Sequence, residues 1–116
     1  MQYLLMIYTS EAAEAAAKPA DTEQMHAAYG AYTEALQKAG VMVGGERLRP
    51  TTMATSVRTE KGKIKVLNGP YAETKEQLGG YYMIEAPDLD AAIVWATRCP
   101  ATSHGTVEVR PVWPLT

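Results

Sequence analysis

"YLLMIY", residues 3–8, is an unbroken apolar run near the start of the chain, and its reading decides the fold. It is rich in β formers, and the side chains of a strand alternate between its two faces. Tyr3, Leu5 and Ile7 therefore line one side, and Leu4, Met6 and Tyr8 the other. A strand that is apolar on both sides needs cover on both. The run has no basic leader and is too short for a signal peptide or a membrane span, so no membrane partner is expected.

Working outward, "TSEAAEAAAKPA" (residues 9–20) reads as an alanine-rich linker. From Asp21 the residues Met25, Ala28, Tyr29, Tyr32, Ala35, Leu36 and Ala39 fall at helical spacing on one stripe, and Gly40 stops the helix. "VMVGGERL" (41–48) is a second strand, with Gly44-Gly45 marking a bulge or a close backbone approach. "TMATSVRT" (52–59) and "KIKVL" (63–67) form a hairpin about Glu60-Lys61-Gly62. In "NGPYAETKEQLGGYY" (68–82), Asn68-Gly69-Pro70 is turn chemistry. Thr74 and Gln77 have capping-box spacing, which predicts one helical turn broken by Gly79. "GYYMIEA" (80–86) is a strand, and Asp88 caps a second helix with Leu89, Ala92, Ile93 and Ala96 as its buried stripe, closed by Pro100. "TVEVRPVW" (106–113) is the last strand, with Val107, Val109, Pro111 and Trp113 on one face and Glu108 and Arg110 on the other.

This order specifies an α+β domain in which two helices cover one face of a four-stranded antiparallel sheet. The other face of "YLLMIY" is then left over, so a homodimer packed sheet to sheet is expected. At 116 residues the chain is one domain. Its net charge of −2 offers no broad field for a phosphate backbone, so nucleic acid is not an expected partner. The single cysteine, Cys99, fits a reducing, cytoplasmic compartment. Seven tyrosines and no phenylalanine mean that several hydroxyls must find partners, in a cleft or at an interface.

The segments "YLLMIY", "GVMVGGERL", "NGPYAETKEQLGGYYMIEAPDLDAAIVWA" and "GTVEVRPV" together resemble the YCII-related proteins, specifically the group named for an Asp-Gly-Pro-Phe motif. The motif's four positions hold Asn68, Gly69, Pro70 and Tyr71 here, and Gly79 and Gly80 follow; all are read as structural. The resemblance implies a single domain over residues 1–116 with a ferredoxin-like fold, carrying an extra hairpin and paired into a dimeric α/β barrel. It implies no settled activity, although some members are associated with alternative sigma factors. A helix histidine and an aspartate have been suggested as an active pair in the wider family; the matching helix position is Tyr29, with His26 one turn earlier.

Candidate site residues follow from both arguments. Glu108 and Arg110 stand on the face left without helices, where they either pair with each other or with Glu46 or Arg47, or else line a wet cleft for a small polar or anionic molecule, with Tyr8 or Tyr29 as hydroxyl donors. His26, Tyr29 and Arg110 are the catalytic candidates, and Tyr8, Arg47 and Glu108 the ligand-binding ones. His26, at the stripe's edge, faces either a cleft or, as the favoured reading, solvent, and His104 reads as an ordinary residue of a polar loop. No metal-ligand spacing, phosphate loop or dinucleotide fingerprint occurs, so no metal or cofactor is expected. Cys99, at a helix C-terminus, lacks the dipole that would make it a nucleophile. Arg58, Lys61, Lys63 and Lys65 read as a solvated, protected edge. The alternative to a small-molecule protein is an accessory module acting through protein contacts, with the basic hairpin or "AETKEQ" as its docking surface.

Overall fold

A computed structural model describes residues 1–115, with the element order β1 (Gln2–Thr9), α1 (Glu11–Ala16), α2 (Pro19–Lys38), β2 (Met42–Arg47), β3 (Thr55–Glu60), β4 (Lys63–Asn68), β5 (Gln77–Glu85), α3 (Leu89–Thr97) and β6 (Thr106–Pro111). Four strands form one antiparallel sheet in the order β2-β5-β1-β6, while β3 and β4 pair only with each other. The architecture is α+β and consistent with the ferredoxin-like expectation, and the sheet is open rather than closed into a barrel.

β1 is the central strand, and its burial alternates strictly: Tyr3, Leu5, Ile7 and Thr9 are buried, and the residues between them are half-buried. The buried set meets Tyr32 and Leu36 of α2 and Ala92 and Ala96 of α3, with Ile84, Cys99 and Ala101 completing the core. Both long helices therefore lie on one face. Tyr32 donates its hydroxyl to the Trp95 carbonyl oxygen at 2.8 Å, and its ring meets Tyr82 edge-on at 5.3 Å. The Tyr82 hydroxyl is in turn 2.7 Å from Thr33 Oγ1, so these phenols find partners between the helices and the sheet.

Three expectations change. The alanine-rich linker holds a helix, α1, because Ser10 caps it by accepting the Ala13 N–H at 3.1 Å, and alanine is the best helix former. So short a helix is marginal alone. Glu14 holds it to Thr9, and Glu11 accepts the Thr51 N–H at 2.9 Å. The capping box at Thr74 does not form, and no helical turn appears between Tyr71 and Glu76. Gln77 spends its side-chain oxygen on the Glu11 N–H at 2.9 Å, leaving its amide to reach back to the Thr74 carbonyl. Gly79 accordingly lies within β5 instead of ending a helix. In α3 only Ala92 and Ala96 of the expected stripe are buried, whereas Leu89 and Ile93 are 46% and 43% exposed. The helix rests on the sheet through its smallest side chains and leaves the larger ones outward.

Other details match. Val43 is the extra residue where the β2–β5 register shifts between Met42 and Gly44. Asp88 caps α3 by accepting the Ala91 N–H at 2.9 Å, and Gly40 follows α2 with φ 70°. The hairpin turns on Lys61 and Gly62, both with positive φ.

Candidate functional site

The register of the four-stranded sheet fixes what stands on its uncovered face. Leu4 faces Met83 on one side and Arg110 on the other, and Met6 faces Tyr81 and Glu108 in the same way. Glu46 stands opposite Tyr81 on β2. The centre of this face is apolar and its margins are charged, an arrangement found at protein interfaces. Glu108 and Arg110 do lie here, as the alternation of β6 requires. Among the described residues neither belongs to an ion pair, nor do Glu46 and Arg47; the pairs present are Met1–Glu85, Glu34–Lys38 and Arg58–Glu60. The structural pairing of Glu108 or Arg110 is therefore not made within one chain.

At the end of the same face, where β1 finishes and β6 begins, Tyr8, Glu76, Thr106 and Glu108 line an open depression of about 360 Å³. Thr106 donates its hydroxyl to Glu76 Oε1 at 3.1 Å, which fixes that carboxylate on the rim. Among the described residues the Tyr8 hydroxyl has only the Met6 sulfur at 4.0 Å, a weak acceptor, and so keeps its capacity to donate and accept. Two carboxylates and two hydroxyls in one hollow favour a ligand that brings hydrogen-bond donors or positive charge. Glu76 was missed in the sequence because its position depends on a loop whose course the motif did not reveal.

The remaining candidates lie elsewhere. Arg47 pairs with Gly80 in the register and so falls on the helix side of the sheet, where its charge acts on Tyr29. Tyr29 is half-buried on α2, and burial, then the nearby Cys99, Tyr82 and Glu14, push its phenol up well beyond the ordinary tyrosine value. His26 is exposed on the same helix. His26 and Tyr29 thus share α2, while Arg110 stands on the opposite face of the sheet; the three do not converge in one chain. Tyr8 and Glu108 do converge. His104 is exposed, with Nδ1 3.0 Å from Ser103 Oγ.

A second hollow, of about 610 Å³, runs between α2 and the Thr97–Ser103 segment and is floored by small residues including Ala28, Ala31 and Ala35. Cys99 is buried beneath it, and burial pushes its thiol up, opposite to what a nucleophile needs. No group of His, Cys, Asp or Glu among the described residues is placed to hold a metal ion. No helix among the described residues is long and apolar enough to cross a membrane.

The motif residues Asn68 to Tyr71 lie at the root of the hairpin, and Gly79 and Gly80 lie in β5. Asn68 ends β4, and Gly69 has φ 101°, a conformation L side chains rarely adopt, while its N–H donates to the Ala54 carbonyl at 2.7 Å to close the hairpin's root. Pro70 and Tyr71 follow, and the Tyr71 ring is 85% exposed. Gly80 is required for a different reason: a Cβ there would sit 2.8 Å from the Glu46 carbonyl oxygen on the neighbouring strand. Gly79 has only ordinary contacts.

Two comparisons bear on this geometry. The YCII-related domain model matches residues 1–116. A protein of Rhizobium meliloti (strain 1021), described as uncharacterized, is 35% identical over 114 residues, spanning 97% of this chain and 92% of that protein. Since the match runs from end to end, the chain belongs to the YCII-related family.

Proposed function

We propose that two copies of the chain pack through the open face of the sheet, forming a dimeric α/β barrel whose end hollows bind a small polar molecule. The observation that carries this reading is the face itself. Leu4, Met6, Tyr81 and Met83, each half-buried, form an apolar centre on the side away from the helices, bordered by the depression of Tyr8, Glu76, Thr106 and Glu108. The carboxylates favour an amine- or hydroxyl-bearing group in the depression. Arg110, two residues along β6 from Glu108 and on the same face, stands about 7 Å away by strand geometry and suits a carboxylate or phosphate on the same ligand. The sequence-based expectation of a small polar or anionic ligand is thereby narrowed to one that presents donors.

We also place the chain in the Asp-Gly-Pro-Phe subgroup. Asn68 and Tyr71 replace the outer motif residues, while Gly69 holds the turn that the motif serves. Shape is kept there and a carboxylate is not, so the turn is assigned a scaffolding role.

The test is a thermal-shift panel of amines, polyols, zwitterions, carboxylates and phosphates, run on the wild-type chain, Glu108→Gln and Arg110→Ala. The reading expects hits among zwitterions and amines, with Glu108→Gln abolishing the shift while leaving the unliganded melting temperature near wild type. Stabilisation by simple anions alone, unchanged in Glu108→Gln, would contradict it.

A further inference from the structure

The β3–β4 hairpin stands apart from the main sheet, and every residue of its strands except Ser56 is exposed. Its register makes it two-faced. Val57 lies opposite Val66 and Thr59 opposite Ile64 on one side, and Arg58 opposite Lys65 and Glu60 opposite Lys63 on the other. Val57, Ile64 and Val66 are 65%, 72% and 64% exposed, so the apolar side has no partner in its own chain. A two-stranded hairpin is marginal in water unless it packs on something.

The hairpin's root is firmly held. Gly69 N–H donates to the Ala54 carbonyl at 2.7 Å, Ser56 Oγ donates to the Gly69 carbonyl at 2.8 Å, and Thr51 Oγ1 donates to Glu11 at 2.6 Å. The arm therefore projects in a direction set by the body. It leaves from the end of the sheet where β2 stops at Arg47 and β5 starts at Gln77, which is also the end that holds the depression. The molecule is correspondingly spread, 47 × 46 × 18 Å with a radius of gyration of 16.2 Å. A compact domain of about 100 residues has a radius of gyration near 13 Å.

Charge separates in the same way. Residues 55–68 carry Arg58, Lys61, Lys63 and Lys65 against Glu60, a net +3. The whole chain is −2, so the rest of it is −5. Arm and body are complementary in sign, and a second copy of the chain supplies the matching body.

We infer that the hairpin is an arm that clasps the second copy, laying Val57, Ile64 and Val66 on the partner while Arg58, Lys63 and Lys65, on its other side, stay in solvent and draw the arm toward the partner's acidic body. This rests on the sheet-to-sheet dimer proposed above. Two-fold symmetry makes the embrace reciprocal.

The test compares the wild-type chain with a Val57→Ser, Ile64→Ser, Val66→Ser variant and with an Arg58→Glu, Lys65→Glu variant, using sedimentation equilibrium and far-ultraviolet circular dichroism. Both variants are expected to keep the wild-type spectrum; the serine variant should dimerise at least about tenfold more weakly, and the glutamate variant, whose hairpin changes from +3 to −1, should dimerise more weakly at low salt. The wild-type dimer should also weaken as salt screens the arm's charges. Hydrogen exchange on the unmodified chain provides a measurement that depends on no variant: amides of β3 and β4 that do not pair across the hairpin should be protected at high concentration and lose that protection on dilution. A wild-type dimer whose affinity is unaltered in both variants, or hairpin exchange that is independent of concentration in a dimer, overturns the arm and leaves the sheet-to-sheet dimer standing. A monomeric wild-type chain overturns both.

Discussion

Met6 on β1 stands directly opposite Glu108 on β6, on the side of the sheet that no helix covers. The pair marks the boundary between the apolar centre of that face and its charged margin. A dimer packed on this face would bury Met6 and leave Glu108 at the edge of the shared hollow, where its charge keeps contact with water or ligand. Loss of a central apolar side chain should therefore break association without breaking the fold.

Met6→Glu is the corresponding prediction. The new carboxylate would sit beside Glu108 and inside the proposed contact, where an unpaired charge is costly. The variant is expected to be monomeric by size-exclusion chromatography with light scattering while keeping the wild-type circular dichroism spectrum, because Tyr3, Leu5 and Ile7 beneath the helices are untouched. A dimer of unchanged affinity would exclude this face as the contact.

Gly80→Ala tests the strand spacing. A Cβ at this position meets the Glu46 carbonyl oxygen at 2.8 Å, and a backbone atom cannot swing aside. Overpacking of this kind costs about 1–3 kcal/mol, read as a lower urea midpoint. Gly79→Ala, with no contact closer than 3.7 Å, should cost less and serves as the control.

Tyr32→Phe removes the hydroxyl that ties α2 to the Trp95 carbonyl on α3. The ring remains, with its edge-on contact to Tyr82, so the loss is that of one part-buried hydrogen bond, about 1 kcal/mol. Equal denaturation midpoints for the two proteins would show that the bond adds nothing.

Alkaline pH should destabilise the protein. Burial is the leading cause that raises Tyr29, Tyr32 and Tyr82 above the ordinary 10.0, and Cys99 above the ordinary 9.0. Once the unfolded chain begins to release these protons, the folded state still holds them, so it binds more protons and its stability falls as pH rises. The stabilisation is fully present below about pH 9 and is lost progressively above it, by about 1.4 kcal/mol per pH unit for each proton the folded state retains. Melting temperatures should be flat from neutrality to about pH 9 and then fall, less steeply in Tyr32→Phe. A melting temperature that holds to about pH 11 would contradict the assignment.

Much of the architecture was legible because it rests on period. The alternation of residues 3–8 and 106–111 fixed which side chains face the helices, and Glu108 and Arg110 follow from it with no further information. Caps were legible too where the side chain acts on its own backbone, as at Asp88. What was not legible depends on distant partners. The helix α1 needs Thr9 and Thr51, and the Thr74 capping box is lost because Gln77 bonds to Glu11, a residue 66 positions away. Glu76 enters the depression through Thr106, thirty residues along the chain, which no local pattern encodes. The split of Arg47 from Tyr8 and Glu108 also required the strand order, because alternation alone does not say which residues of β2 share a face with those of β6.

The mass of the wild-type chain in solution tests the central claim most directly. Light scattering at low micromolar concentration is expected to give twice the chain mass of 12.6 kDa, with the Leu4–Met6–Met83 face as the contact. A clean mass of 12.6 kDa would mean that the open face is stable in water, and the dimer and the shared hollow would both have to be abandoned.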